Sequence, residues 1–178
     1  RYIENDPSAI NFAIPEFEKL SDEFSDVTWR SYLSYDVTDE ITMYTNVATG
    51  FRSGGYGLEI APNQPAYEPE TLISYELGAK GTLFNGRLNG DIAIFYSEYT
   101  DMLQSALTFV DNSFETLVAN VGEASVKGVE ANLQWYMTDH LILNVNAMVN
   151  EGQIDKADLN NPTGSLDGDP LDYTPDYS

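Results

Sequence analysis

Two residues in the stretch FRSGGYG, Arg52 and Tyr56, are of types that bind ligands at exposed sites. An arginine attracts anionic groups, and a tyrosine adds a flat ring with a hydrogen-bonding hydroxyl. The glycines between them permit a sharp change of chain direction. We therefore predict Arg52 and Tyr56 as ligand-binding residues in a loop, with the alternative that the glycines serve chain geometry alone.

The acidic run of residues 155–172 is the best candidate for a metal site, since carboxylate, amide and carbonyl oxygens suit calcium. It lacks the ordered ligand spacing of an EF-hand loop, and its Pro and Gly content indicates an exposed loop. We predict no metal site, with calcium bound through Asp167 and Asp169, or divalent ions bridging to anionic lipid, as alternatives.

No stretch carries a catalytic constellation. His140 is the single histidine, so a Ser-His-Asp site would have to form around a short turn. The carboxylates are scattered without a pair spaced for glycoside hydrolysis, and without cysteine there is neither a disulfide nor a thiolate metal site. We predict a protein that is not an enzyme and has no cofactor.

The net charge of −21, from 29 acidic and 8 basic side chains, argues against nucleic acid as a partner. It is compatible with cationic ligands, with divalent ions or with a solvated surface.

Apolar and polar residues alternate with period two through most of the chain, which is the pattern of strands with one apolar and one polar face. In LILNVNAMVN, for example, Leu143 and Val145 alternate with Asn144 and Asn146. This pattern predicts an all-β fold with strands near residues 26–37, 41–51, 70–84, 87–100, 124–136 and 141–151.

The connections between these strands alternate between short and long. Short turns lie at residues 38–40, 85–86 and 138–140, and long polar connections lie at about residues 52–69, 101–123 and 153–172. Such a division is typical of an antiparallel up-and-down transmembrane β-barrel, with short turns at the periplasmic end. Period two alone does not distinguish this from a soluble sandwich, whose apolar faces pack against each other.

Aromatic residues near the strand ends favour the barrel, because aromatic girdles mark the two membrane interfaces. The predicted girdle residues are Tyr35, Tyr44, Phe84, Trp135 and Tyr136 by the short turns, and Phe51, Tyr96 and Tyr99 towards the long connections.

Three segments together resemble the barrel of TonB-dependent outer-membrane receptors: FRSGG at residues 51–55, the stretch of residues 67–104 that contains YELGAKG, and NVGEASVKGVEANLQWYMTD at residues 120–139. The resemblance covers roughly residues 21–178. It implies an outer-membrane transport receptor with a large barrel, a plug domain inside it and a segment that contacts TonB.

Six strands cannot close a large barrel, so the resemblance implies an open, internal fragment of a barrel. Residues 1–25 would end an external loop, and residues 173–178 would begin a further strand. The implied partners are the TonB system, reached through a plug region absent from this chain, outer-membrane lipid, and an extracellular small-molecule ligand such as a ferric siderophore. The alternative function is that of a soluble adhesin-like or glycan-binding β-domain.

Overall fold

The computed structural model describes residues 23–56, 66–110, 113–158 and 164–171. In this part of the chain every regular element is a strand, and no helix has the length and apolarity needed to cross a membrane. The strands are β1 (Arg30–Asp36), β2 (Ile41–Arg52), β3 (Glu70–Leu83), β4 (Leu88–Thr100), β5 (Leu103–Val110), β6 (Ser113–Asn120), β7 (Gly122–Thr138) and β8 (Leu141–Ala157).

Six of these strands form one antiparallel sheet in the order β1-β2-β3-β4-β7-β8. The predicted meander is therefore confirmed, including the pairing of the first predicted strand with the second. The sheet is open, because β1 does not pair with β8. Strands β5 and β6 pair only with each other, as a separate hairpin.

The cross-strand register gives the sheet two faces of opposite character. One row of neighbours is Leu77, Ile94, Val129 and Val149, and we call its side the apolar face. A row of opposite parity, Thr42, Lys80, Asp91, Asn132 and Asn146, defines the polar face.

The apolar face is uncovered by the described residues. Ile92 and Ile94 are each 52% exposed, and Val149 is 61% exposed. In a soluble sandwich a second sheet would bury these side chains. The single layer therefore contradicts a sandwich and fits a sheet whose apolar face meets lipid.

The first strand is shorter than the predicted residues 26–37, because backbone N–H groups near its predicted start donate to side-chain oxygens and not to carbonyl oxygens of the neighbouring strand. The N–H of Val27 donates to Asp26 Oδ1 (2.7 Å) and the N–H of Trp29 donates to Thr49 Oγ1 (3.0 Å). Such local bonds compete with sheet pairing.

Strands β3 and β4 are joined by a turn in which Phe84, Asn85 and Gly86 all have positive φ.

The long connection predicted at residues 101–123 does join neighbouring strands of the sheet, β4 and β7, but it contains the β5–β6 hairpin, which was not predicted. Its two runs, LQSALTFV and SFETLVAN, lack clean alternation but pair residue by residue. The connection predicted at residues 153–172 is also too long. Strand β8 continues to Ala157, and the chain returns to its edge through a bridge between Gln153 and Pro170.

Three aromatic residues predicted for the girdles lie on the polar face instead. Tyr44 is opposite Gly78, Tyr99 packs against a buried cluster, and the Tyr136 hydroxyl donates to Gln134 Oε1 (3.0 Å). Position near a strand end was a poor guide here because parity decides the face. Two predictions lie outside the described residues: most of the external loop of residues 1–25, and the further strand at residues 173–178.

Candidate functional site

The strands have two different ends, and the predicted ligand residues lie at one of them. We call the end with the short connections, near residues 38–40, 84–87 and 139–140, the turn end. The opposite end, where β2 finishes at Arg52 and β4 finishes at Thr100, is the loop end. The hairpin β5–β6 also starts at the loop end.

Arg52 is the last residue of β2 and lies directly across from Glu70. No ion pair joins the two side chains. The Glu70 carboxylate instead accepts a hydrogen bond from the N–H of Leu103 (2.7 Å), at the start of the hairpin. Within the described residues no carboxylate pairs with the Arg52 guanidinium, which is exposed. A cation without an internal partner is suited to bind an anionic group.

Tyr56 follows a short extension of the β2–β3 ribbon beyond Arg52. Gly55 and Tyr67 exchange two backbone hydrogen bonds, of 3.1 and 2.9 Å, in the register that pairs Arg52 with Glu70. Glycine is required at residue 54, where a Cβ would lie 2.5 Å from the Tyr67 carbonyl oxygen, a backbone atom. A Cβ on Gly55 would lie 2.7 Å from the Tyr67 hydroxyl and would displace that side chain. The predicted loop is therefore a tight two-stranded ribbon at this point, and it carries Tyr56, 37% exposed, to the loop end.

Asn120 joins this ribbon to the base of the β5–β6 hairpin. Its Oδ1 accepts a hydrogen bond from the N–H of Glu68 (2.7 Å), while its Nδ2 lies within hydrogen-bond distance of the carbonyl oxygens of Glu68 (3.0 Å) and Asp101 (2.6 Å). Asp101 has a φ of 53°, a conformation that Asp adopts more readily than most residues. One amide therefore fixes two connections that are distant in sequence.

A small apolar cluster supports the loop end from the polar side of the sheet. Val121, Ala124 and Ile154 are 0–1% exposed, and Leu171 packs on them at 5% exposure. Leu171 is held there by the bond from its N–H to the Gly152 carbonyl oxygen (3.0 Å). Burial of these side chains stabilises the ends of β7 and β8 at the loop end.

The proposed calcium ligands have other partners. Asp167 Oδ1 accepts a hydrogen bond from the N–H of Ala157 (2.7 Å), and Asp169 Oδ2 accepts one from the N–H of Leu166 (2.8 Å). The described residues contain no group of three side chains placed to hold a metal ion. The carboxylates thus shape a turn, as Asp commonly does.

One exposed cation at the loop end, Lys156, has a carboxylate partner. The Lys156 ammonium donates a hydrogen bond to Glu123 Oε1 (3.1 Å), and this bond raises the pKa of Lys156. Lys156 is thereby engaged with a carboxylate, unlike Arg52.

The polar face carries a hydrogen-bonded network between β1, β2 and β3. Arg30 Nε donates to Asn46 Oδ1 (2.7 Å), and Asn46 Nδ2 donates to Glu76 Oε2 (3.4 Å). Asn46 is 7% exposed and so links a cation to a carboxylate from a largely buried position. The alternation of the sequence predicts Asn46 and Glu76 on the same face, but it does not predict the hydrogen bond between them.

Towards the turn end, the polar face is rich in amide side chains, which line a concavity of about 610 Å³. Thr82 Oγ1 donates to Asn89 Oδ1 (2.8 Å), and Asn132 Nδ2 donates to Asp91 Oδ2 (2.9 Å). Lys80 lies across from Asp91 without an ion pair between them. Such a surface is suited to contact a hydrated, hydrogen-bonding partner.

His140 lies in the turn between β7 and β8, where its N–H donates to Thr138 Oγ1 (3.3 Å). Among the described residues neither a serine nor a carboxylate hydrogen-bonds to its ring. Within the part of the chain that the structure describes, His140 therefore takes part in no nucleophile–base pair.

Comparison with known proteins gives consistent matches. The sequence model of the family described as "TonB dependent receptor-like, beta-barrel" matches residues 4–178. The pesticin receptor of Yersinia pestis is 28% identical over 80% of this chain and 20% of its own length. The ferric-pyoverdine M114 receptor PbuA of Pseudomonas sp. (strain M114) is 30% identical over 72% of this chain and 15% of its own length.

The fold has solved counterparts. The ferric yersiniabactin uptake receptor FyuA from Yersinia pestis aligns with a TM-score of 0.64 at 23% identity, over 83% of this chain and 21% of that one. The chain thus spans about a fifth of the length of the pesticin receptors that it matches.

Proposed function

The chain belongs to the TonB-dependent receptor β-barrel family, and from this we propose that its parent protein is a transport receptor that takes up a scarce solute, in first place a ferric siderophore. Barrels of this family are located in the outer membrane, and so is this chain. The relatives it matches are receptors, in agreement with a role in transport.

The observation that carries this proposal is the two-faced single sheet. Its exposed apolar face requires a nonpolar solvent, because water would leave a large hydrophobic surface unburied. Its polar face then lines an interior that admits hydrated solutes, as in wide outer-membrane barrels.

We propose that the ligand binds at the loop end through Arg52 and Tyr56. Arg52 is exposed and has no ion pair within the described residues, so an anionic chelate would supply its missing partner. Tyr56 offers a ring four residues further along the same ribbon. Relatives named for ferric pyoverdine and ferric yersiniabactin favour a ferric chelate as the ligand class.

We propose that the partner of the polar face is a plug region outside this chain, which would also make the contact with TonB. The polar face carries the carboxylates of Glu76 and Glu130, and no described cation forms an ion pair with either. A plug surface with basic side chains would give each of them an ion pair. Charge complementarity of this kind fixes orientation more than it adds affinity.

The test uses the whole parent receptor, produced in a strain without other siderophore receptors. Uptake of radioactive iron is measured with ferric pyoverdine and ferric yersiniabactin as probes, with and without an energised membrane. We expect energy-dependent uptake of at least one chelate. Arg52→Gln should weaken binding of that chelate about tenfold, the typical effect of losing one charge-assisted hydrogen bond.

Lys156→Gln is the matched control, because Lys156 is also a cation at the loop end but is already bonded to Glu123. It should leave binding within about twofold of the unchanged receptor. Absence of uptake with both chelates would reject the ligand class. Equal losses in the Arg52 and Lys156 variants would reject the assignment of Arg52.

A further inference from the structure

The Glu70 carboxylate has two candidate partners at the loop end and contacts one of them. Its Oε2 accepts a hydrogen bond from the N–H of Leu103 at 2.7 Å. Arg52 lies directly across from Glu70 on the polar face, yet no ion pair joins these two side chains. One carboxylate therefore lies between the cation of the proposed ligand site and the base of the β5–β6 hairpin.

An ion pair between Arg52 and Glu70 is within reach of both side chains. Residues directly opposite each other in an antiparallel pair have Cβ atoms about 4.5–5.5 Å apart. Opposite charges in such positions favour contact over separation by about threefold. The register and the charges thus allow the pair, so its absence indicates that another contact of Glu70 competes with it.

The hydrogen bond to Leu103 is the stronger of the two contacts. Leu103 is 6% exposed and Glu70 is half-buried, whereas Arg52 is exposed. A bond from a backbone N–H to a carboxylate is strengthened by the charge, and its loss would leave a buried donor unpaired. An ion pair to an exposed arginine is weakened by water and by the ordering of two flexible side chains.

The backbone at the base of the hairpin fixes the position of the Leu103 N–H. The N–H of Met102 donates to the Gly122 carbonyl oxygen (2.9 Å), and the Met102 carbonyl oxygen accepts from the N–H of Val121 (2.8 Å). These bonds hold Met102 at the start of β7, and the next peptide unit then presents its N–H to Glu70. The bond to Glu70 therefore depends on docking of the hairpin base.

We propose that Glu70 is a positioning residue of the ligand site, which the docked hairpin holds away from Arg52 so that Arg52 stays open to an anionic group. When the hairpin base undocks, Glu70 pairs with Arg52 and closes the site. Docking of the hairpin and binding of the ligand then favour each other to the same extent, as linkage requires. This inference rests on the proposed role of Arg52 in binding the ligand.

The first experiment uses no ligand and measures hydrogen exchange at the Leu103 N–H in the whole receptor. Mass spectrometry with electron-transfer fragmentation resolves this single amide. Arg52→Gln removes the competing ion pair, so exchange should slow about fourfold, because a paired state favoured about threefold no longer adds to the open state. The matched control is Lys156→Gln, whose cation is already bonded to Glu123, and it should leave the rate unchanged.

The second experiment measures binding of ferric pyoverdine and ferric yersiniabactin to the whole receptor. Leu103→Pro removes the donor at the first residue of a strand, a position that tolerates proline. It should weaken chelate binding about fourfold, since the released Glu70 pairs with Arg52. Glu70→Gln keeps an acceptor for Leu103 but forms no ion pair, so Leu103→Pro should have no effect on binding in that background.

Heat-modifiable gel mobility verifies that each variant is folded. Equal weakening by Leu103→Pro in both backgrounds would assign the effect to the shape of the hairpin and overturn the role of Glu70. An equal exchange rate in Arg52→Gln and the unchanged receptor would overturn the competition, and this measurement decides the inference even if Leu103→Pro does not fold. Absence of binding by both chelates would reject the ligand class, while a slower exchange in Arg52→Gln would still support the competition for Glu70.

Discussion

The packing of Tyr44 on Gly78 allows a sharp test of the register between β2 and β3. Tyr44 lies directly across from Gly78 on the polar face. A Cβ on Gly78 would fall against the Tyr44 ring, including its hydroxyl oxygen at 2.5 Å. The ring also stacks on Tyr32, with centroids 5.7 Å apart and planes at 23°. Gly78→Ala must therefore displace the ring.

The size of the effect follows from three contributions. Overpacking costs about 1–3 kcal/mol, and loss of the stacked pair costs about 0.5–1.5 kcal/mol. Replacing a strand glycine by alanine returns about 0.5–1 kcal/mol, because glycine loses more conformational entropy on folding. From the midpoints of these ranges, we expect Gly78→Ala to lower the free energy of unfolding of the receptor by about 2 kcal/mol.

A double-mutant cycle isolates the contact. Once Tyr44→Ala has removed the ring, Gly78→Ala should stabilise slightly through the entropic term alone, so the coupling between the two sites should be about 3 kcal/mol. The assay is urea unfolding of the whole receptor in phosphatidylcholine vesicles, followed by heat-modifiable gel mobility. Additive effects of the two substitutions would refute the contact.

Gly128 provides the contrasting case. A Cβ there would lie 2.6 Å from Phe95 Cζ but also 2.6 Å from the Val149 carbonyl oxygen, a backbone atom of β8. Removing the ring by Phe95→Ala leaves the backbone obstacle in place. Gly128→Ala should therefore stay destabilising in the Phe95→Ala background. If Phe95→Ala removed the destabilisation by Gly128→Ala as fully as Tyr44→Ala removes that by Gly78→Ala, the result would contradict the register of β7 and β8.

Three further predictions concern the loop end and the polar face. Asn120→Ala should speed hydrogen exchange at the Glu68 N–H by about tenfold through loss of its acceptor, whereas Asn120→Asp, which keeps the acceptor, should have a smaller effect. Glu76→Gln should make the plug of the whole receptor more sensitive to protease, and unchanged digestion would reject the proposed plug contact. Asp167→Asn should speed exchange at the Ala157 N–H about fivefold without altering calcium calorimetry, and a heat of calcium binding that Asp167→Asn abolishes would restore the metal site.

Much of the sheet follows from local sequence. The alternation of Leu143 and Val145 with Asn144 and Asn146 predicts one apolar and one polar face, and the structure has both. The Asn85-Gly86 pair predicts a tight turn, and both residues have positive φ. These features depend on neighbours in the chain, so they are visible without knowledge of the fold.

The features that escaped prediction depend on partners far along the chain. Asn120 bonds to Glu68, 52 residues away, and neither residue has a local pattern that reveals the other. The hairpin β5–β6 was missed because its strands lack clean alternation. The two strands lie outside the six-stranded sheet, so their side chains do not extend its apolar face.

The sequence by itself therefore determined that this chain forms an antiparallel sheet with one apolar face, because successive residues of a strand point to alternate faces. Only the tertiary structure decided which residues meet across strands. Register places Tyr44 over Gly78 and sets Arg52 across from Glu70, where the described residues give Arg52 no ion pair. The physical reason is that register is set by the sum of all cross-strand contacts, which no single segment contains.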